Sequence, residues 1–135
     1  MARGEARVVA MQLIYEEMLG GKGGEESLSG LLGFSPSADD EKYLAEVLAG
    51  VADKREELDA RIAGYLQNWS IERLARVDLA ILRLAAYEIL YRDDVPAAVA
   101  VNEAVEMSHR FSTDEAGGFI NGVLGSLLRG AAKRP

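Results

Sequence analysis

The chain of 135 residues contains no cysteine. A disulfide framework and a thiolate metal site are therefore excluded, and a reducing, cytoplasmic setting is the expectation. There is one histidine, His109, and no second one to join it. A zinc site would have to draw its other ligands from carboxylates, which is uncommon, so no metal site is expected and His109 reads as a surface or groove residue. No stretch approaches the roughly 18 unbroken apolar residues of a membrane span, and no membrane association is expected. The start, Met1-Ala2-Arg3-Gly4-Glu5, has no apolar run behind it, so no ordinary signal peptide is expected there. Also missing are G-x-S-x-G, a Walker-type phosphate loop and G-x-G-x-x-G. The run Gly20-Gly21-Lys22-Gly23-Gly24 has no strand before it and no Lys-Ser/Thr after it, and reads as a linker. The carboxylates are scattered, with no acid–base pair marked out in an apolar setting. No catalytic residue, no enzyme activity and no cofactor are expected.

What is present is apolar and helical. Hydrophobic residues make up 49% of the chain, enough for the core of one domain. The net charge is −7, which argues against gripping nucleic acid by charge alone. Residues 1–70 carry 7 basic and 13 acidic side chains, whereas residues 71–135 carry 8 and 9. An anionic ligand meets least repulsion over the second half or at the N-terminal arm.

Spacings of three and four predict a helix over 5–19, with Val8, Met11, Ile14, Tyr15 and Met18 on one face. Leu28, Leu31 and Leu32 form a short apolar piece. A long helix is predicted from Ser37 or Asp39 to Leu66, with Gly50 and Gly64 inside it. Asn68-Trp69-Ser70 breaks the pattern, and Ser70 is a candidate N-cap for a helix from Ile71 onward. From Val77 to Tyr91 the chain is apolar on nearly every side, as a buried central helix is. Pro96 then starts another helix, and Ser112-Thr113-Asp114-Glu115 has capping-box spacing ahead of the last. Four Glu–Arg pairs stand at i, i+4: Glu57–Arg61, Glu72–Arg76, Glu88–Arg92 and Glu106–Arg110.

Three groups offer binding chemistry. Arg3 and Arg7 stand one turn apart and could present two guanidinium groups to phosphates or bases. Phe119 and Asn121 lie near a helix N-terminus, where phosphate is attracted and an exposed ring stacks a base; the alternative is that Phe119 is core. Tyr15, Asp78, Glu72 and Arg76 form the third, Asp78 interrupting an apolar helix so that it must be exposed or paired. Asn102 and Asn121 are poor mid-helix residues, best explained by cross-helix hydrogen bonds that fix register. Arg83 and Glu103 are candidates for an internal pair.

Four ordered blocks carry a resemblance. Leu79-Ala80-Ile81-Leu82-Arg83-Leu84-Ala85-Ala86-Tyr87-Glu88, Val95-Pro96, Val101-Asn102-Glu103-Ala104-Val105-Glu106 and Phe119-Ile120-Asn121-Gly122-Val123-Leu124 resemble the NusB family of bacterial transcription antitermination factors. The match runs over 69–128, with a looser one through Ala6-Arg7, Ala10-Met11-Gln12 and Tyr15. The resemblance implies an all-α bundle of two three-helix subdomains, here 1–66 and 69–130. It implies pairing with ribosomal protein NusE, binding of boxA RNA in nascent ribosomal RNA transcripts, and read-through by RNA polymerase in an antitermination complex. It places Arg3, Arg7, Gly118, Phe119 and Asn121 on the RNA side, and Tyr15, Glu72 and Asp78 on the NusE side. Some members self-associate through the RNA-binding region, which leaves a homodimer open. Two departures thin the positive charge: Gly4 and Glu5 separate Arg3 from Arg7, and Gly118 stands where relatives often carry lysine. The alternative is a NusB-like protein-interaction module with weak or lost RNA binding.

Overall fold

The structure, a computed structural model, describes residues 3–20, 37–67 and 70–132, apart from the side chains of Arg3, Ala131 and Ala132. The expectations for Leu28, Leu31 and Leu32, for most of the glycine run and for Asn68-Trp69 fall outside the described residues. Within them lie six α-helices: α1 (Arg3–Met18), α2 (Ala38–Asp53), α3 (Arg55–Ala63), α4 (Arg76–Tyr91), α5 (Ala97–Phe111) and α6 (Asp114–Ala132). A 3₁₀ turn, Ile71–Arg73, precedes α4. No strand occurs among the described residues, and none of their helices is long and apolar enough to cross a membrane. The all-α bundle expected from the sequence is the fold found.

Helix α4 packs against all five other helices. Its apolar residues need that many neighbours. Ala80, Ile81, Leu82, Leu84 and Ala86 are fully buried, and they cover more than one face of the helix. Helix α1 is also covered more widely than its predicted stripe. Ala6, Ala10, Met11, Leu13 and Ile14 are buried, because α1 packs against both α2 and α4. Val8, Tyr15 and Met18, expected at the centre of the apolar face, lie at its half-buried margin.

Local chemistry corrects several boundaries. The long second helix is two, broken at Lys54, whose N–H still bonds the Gly50 carbonyl at 2.9 Å. Ser37 caps α2 through a full capping box: its hydroxyl accepts from the Asp40 N–H at 3.1 Å, and its own N–H donates to Asp40 at 3.0 Å. Gly50 is inside a helix because α4 lies close; a Cβ there would overlap the Tyr87 ring. Gly64, in contrast, follows the end of α3. The last helix is capped by Thr113, not Ser112, through a bond from the Ala116 N–H to the Thr113 hydroxyl at 3.2 Å.

The internal ion pairs differ from expectation too. Arg83 pairs with Asp59 of α3, not Glu103, through two bonds of 2.8 and 2.7 Å. Glu88 does not serve Arg92. It is fully buried and receives both guanidinium bonds of Arg7, at 2.8 and 2.9 Å, while Arg92 turns to Asp94 and Glu46. Tyr43 of α2 completes this cluster, its ring centroid 5.8 Å from the Arg7 guanidinium carbon and 5.3 Å from that of Arg92.

Burial pushes the Tyr43 hydroxyl well above its usual pKa of 10.0, and the Glu88 charge pushes the same way against the opposing effect of Arg7. In the unfolded chain Tyr43 ionises at its usual value, so above it the unfolded state binds fewer protons than the folded one. Stability held by this group is complete below about pH 10 and falls as the pH rises further. Tyr43→Phe should remove that part of the alkaline loss. Urea midpoints measured on both proteins from neutral pH to about pH 11 check it; parallel curves would refute it.

Candidate nucleic-acid and partner interface

The expected RNA-side residues do not share one surface. Arg7 is 3% exposed and its guanidinium is held by two bonds to Glu88, which turns it inward and away from the surface of the arm. The cause is geometry. Arg7 falls on the side of α1 that meets α4, and a buried guanidinium requires a bidentate acid, which Glu88 supplies. Burial alone would lower the Arg7 pKa; its hydrogen bond and charge contact with Glu88 outweigh this and raise it. The side chain of Arg3 lies outside the described residues.

Phe119 is half-buried, packed against the core on one side and open on the other. Its open side faces a groove between the start of α4 and the start of α6, lined by Arg73, Leu74, Ala75, Asp78, Thr113, Glu115, Ala116 and Phe119. One expected RNA residue and one expected partner residue thus line the same groove. Asp78 sits in the first turn of α4, where the helix dipole favours its charge. One of its oxygens, Oδ1, is nonetheless buried without a hydrogen-bond partner. Asp78 as a whole is half-buried, so the requirement that it be exposed or paired is only partly met, and a donor brought from outside would satisfy the remaining oxygen.

Gly118 and Asn121 lie elsewhere on α6. Both are exposed and line a second groove, between α5 and α6, with Asn102, Val105, Glu106, His109 and Gly117. Asn102 and Asn121 do not make the cross-helix hydrogen bonds expected of them; both are exposed, and neither carboxamide has a partner among the described residues. Asn102 and His109 line this groove beside Gly118 and Asn121, a placement that sequence reasoning missed. The available signal was the mid-helix placement of Asn102.

Glu72 is exposed in the 3₁₀ turn and borders a third groove, with Met18, Arg55, Ile71, Arg76 and Leu79 among its walls. Leu74 lines both this groove and that of Asp78. Tyr15 is half-buried on α1 and borders neither groove.

Among the described residues no group of three or more His, Asp or Glu side chains could hold a metal ion. His109 Nδ1 lies 3.9 Å from Asp114, a loose pair on the surface. The grooves offer hydrogen bonds, apolar contact and a few charges, which is the chemistry of recognition.

The family model described as "NusB family" matches residues 4–129. A transcription antitermination protein NusB of Clostridium botulinum (strain Loch Maree) is 40% identical, over 95% of this chain and all of that protein. The solved structure of Thermotoga maritima NusB superposes with a TM-score of 0.84 at 28% identity, covering 96% of this chain and 92% of that one. A chain from a crystal structure of the antitermination factors NusB and NusE in complex with double-stranded RNA matches with a TM-score of 0.82 at 25% identity, covering 96% and 99%. With the four sequence blocks, the all-helical bundle and a match over nearly its whole length, this chain belongs to the NusB family.

Proposed function

We propose that this antitermination factor pairs with ribosomal protein NusE, binds boxA RNA of nascent ribosomal RNA transcripts in the cytoplasm, and joins an RNA polymerase complex that reads through terminators. Partner contact is assigned to Asp78, Glu72 and Tyr15, and RNA contact to Arg3, Gly118, Phe119 and Asn121. The observation that carries this reading is the groove shared by Asp78 and Phe119. A carboxylate oxygen short of a donor stands beside a half-open aromatic ring. An incoming partner that supplies the donor would bury the oxygen and border the ring that is to meet RNA. Similarity to a chain solved with NusE and RNA supports the same pairing.

The inward turn of Arg7 removes one cation from the expected RNA side, and the net charge of −7 adds repulsion. Binding by this chain alone should therefore be modest and only shallowly dependent on salt. With NusE it should tighten clearly, and Asp78→Ala should reduce that gain about tenfold by removing a charged hydrogen bond. Fluorescence anisotropy with boxA RNA, with and without NusE, measures both. Equal affinity in the two cases would sink the proposal. The same charge balance favours a second reading, a protein-interaction module without RNA binding; NusE capture with no RNA bound by the pair would establish it.

A further inference from the structure

Four residues that weaken helices lie exposed on α5 and α6 without an internal reason. Asn102 and Asn121 make no side-chain hydrogen bond among the described residues. A Cβ at Gly118 or Gly122 would meet nothing within 4 Å. Nothing within the described protein calls for asparagine or glycine at these places, although alanine would hold each helix better. Uncompensated departures of this kind concentrate where a protein works on something else. Three of the four line the α5–α6 groove.

Gly117 shows the contrast. A Cβ there would come within 3.0 Å of His109 Cε1 and 3.4 Å of Ser108 Oγ, so this glycine makes room for the imidazole. His109 is thereby seated in the groove wall while its side chain stays 47% exposed.

The lining chemistry selects the ligand. Among the described residues no lysine or arginine lines the groove, and the one carboxylate among them, Glu106, repels phosphate. Each asparagine offers a donor pair and an acceptor side by side, the pattern that matches the edge of a base. Glu106 can accept from an exocyclic amino group, an imidazole can stack on a base, and glycine lets a flat ring approach the backbone. We propose that this groove holds one unstacked nucleobase of single-stranded RNA, with Asn102 and Asn121 reading its edge and His109 against its face. The proposal rests on the RNA-binding function above and adds Asn102 and His109 to it.

The test uses the full chain with NusE and boxA RNA in fluorescence anisotropy, together with RNAs carrying one abasic nucleotide at each position in turn. Asn102→Ala and His109→Ala should each weaken binding roughly tenfold. One abasic position should weaken the wild type by a similar factor, and Asn102→Ala should add nothing further there. Gly118→Ala should raise the thermal midpoint yet weaken binding, which a purely structural role would not produce. Unchanged affinity in these variants, or losses that add in full at every abasic position, would overturn the proposal. So would loss of NusE binding in their place, since the groove would then be a protein contact. Failure of the wild type to bind RNA at all would instead refute the function on which the proposal rests.

Discussion

Arg7→Ala should lower the unfolding free energy by about 3–5 kcal/mol, because it strands Glu88 as a buried, uncompensated carboxylate. Both partners are almost wholly out of water, at 3% and 1% side-chain exposure, so neither can recover solvation if the other is removed. Glu88→Ala should cost a comparable amount by stranding the guanidinium. This equality separates the two readings of Arg7. As a surface contact for RNA, Arg7 would be indifferent to Glu88, and Glu88→Ala would leave stability and RNA binding alone. The double replacement Arg7→Met with Glu88→Leu should recover much of the loss, since an apolar pair of similar volume avoids burying charge. Urea denaturation of the wild type and these three variants ranks the four stabilities. A loss below about 1 kcal/mol for Arg7→Ala would mean that the pair is open to water.

That pair also shows where the sequence is legible and where it stops. The central position of α4 can be read directly, since a stretch with Leu79, Ile81, Leu82, Leu84 and Ile89 on several faces needs neighbours all round. Helix ends can be read where capping residues are strong, as at Ser37. Arg7 cannot. One turn from Arg3, its spacing suggests a shared face, but which face meets α4 depends on long-range packing, and its acid lies 81 residues away. Glu88 is misread for the same reason: an i, i+4 arginine is a good local partner until burial offers a better one. The break at Lys54 is hidden because Leu44, Val47, Val51, Leu58 and Ile62 keep a helical rhythm straight across it.

The site divides in a similar way. Family blocks point to Gly118, Phe119 and Asn121 as neighbours in sequence. On a helix, however, positions 119 and 121 point about 200° apart. The structure accordingly sends Phe119 to the groove of Asp78 and Asn121 to the groove of Asn102 and His109. Helix period alone could have separated them. What opposes each across the groove requires the fold.

Leu82→Ala is the second large effect, with an expected cost of about 2–5 kcal/mol. Leu82 has no exposed surface and sits in the helix that touches every other described helix, so its surroundings cannot close over the missing atoms without moving several elements together. The upper part of that range applies if the cavity stays open, the lower part if neighbouring side chains relax into it. The loss should appear as a lower urea midpoint with an unchanged denaturant slope, because the exposed area of the unfolded chain hardly alters. The same replacement checks how the molecule separates stability from recognition. Asp78 lies at the start of α4 and Glu88 near its end, whereas Asn102, His109 and Gly118 lie on α5 and α6. Well below its melting temperature, the Leu82→Ala protein should therefore keep RNA and NusE affinities within about twofold of the wild type, since about 0.4 kcal/mol is all that such a change represents. A stability cost near zero would show that Leu82 is not core. A large loss of affinity in the folded variant would show instead that the central helix sets the geometry of both grooves.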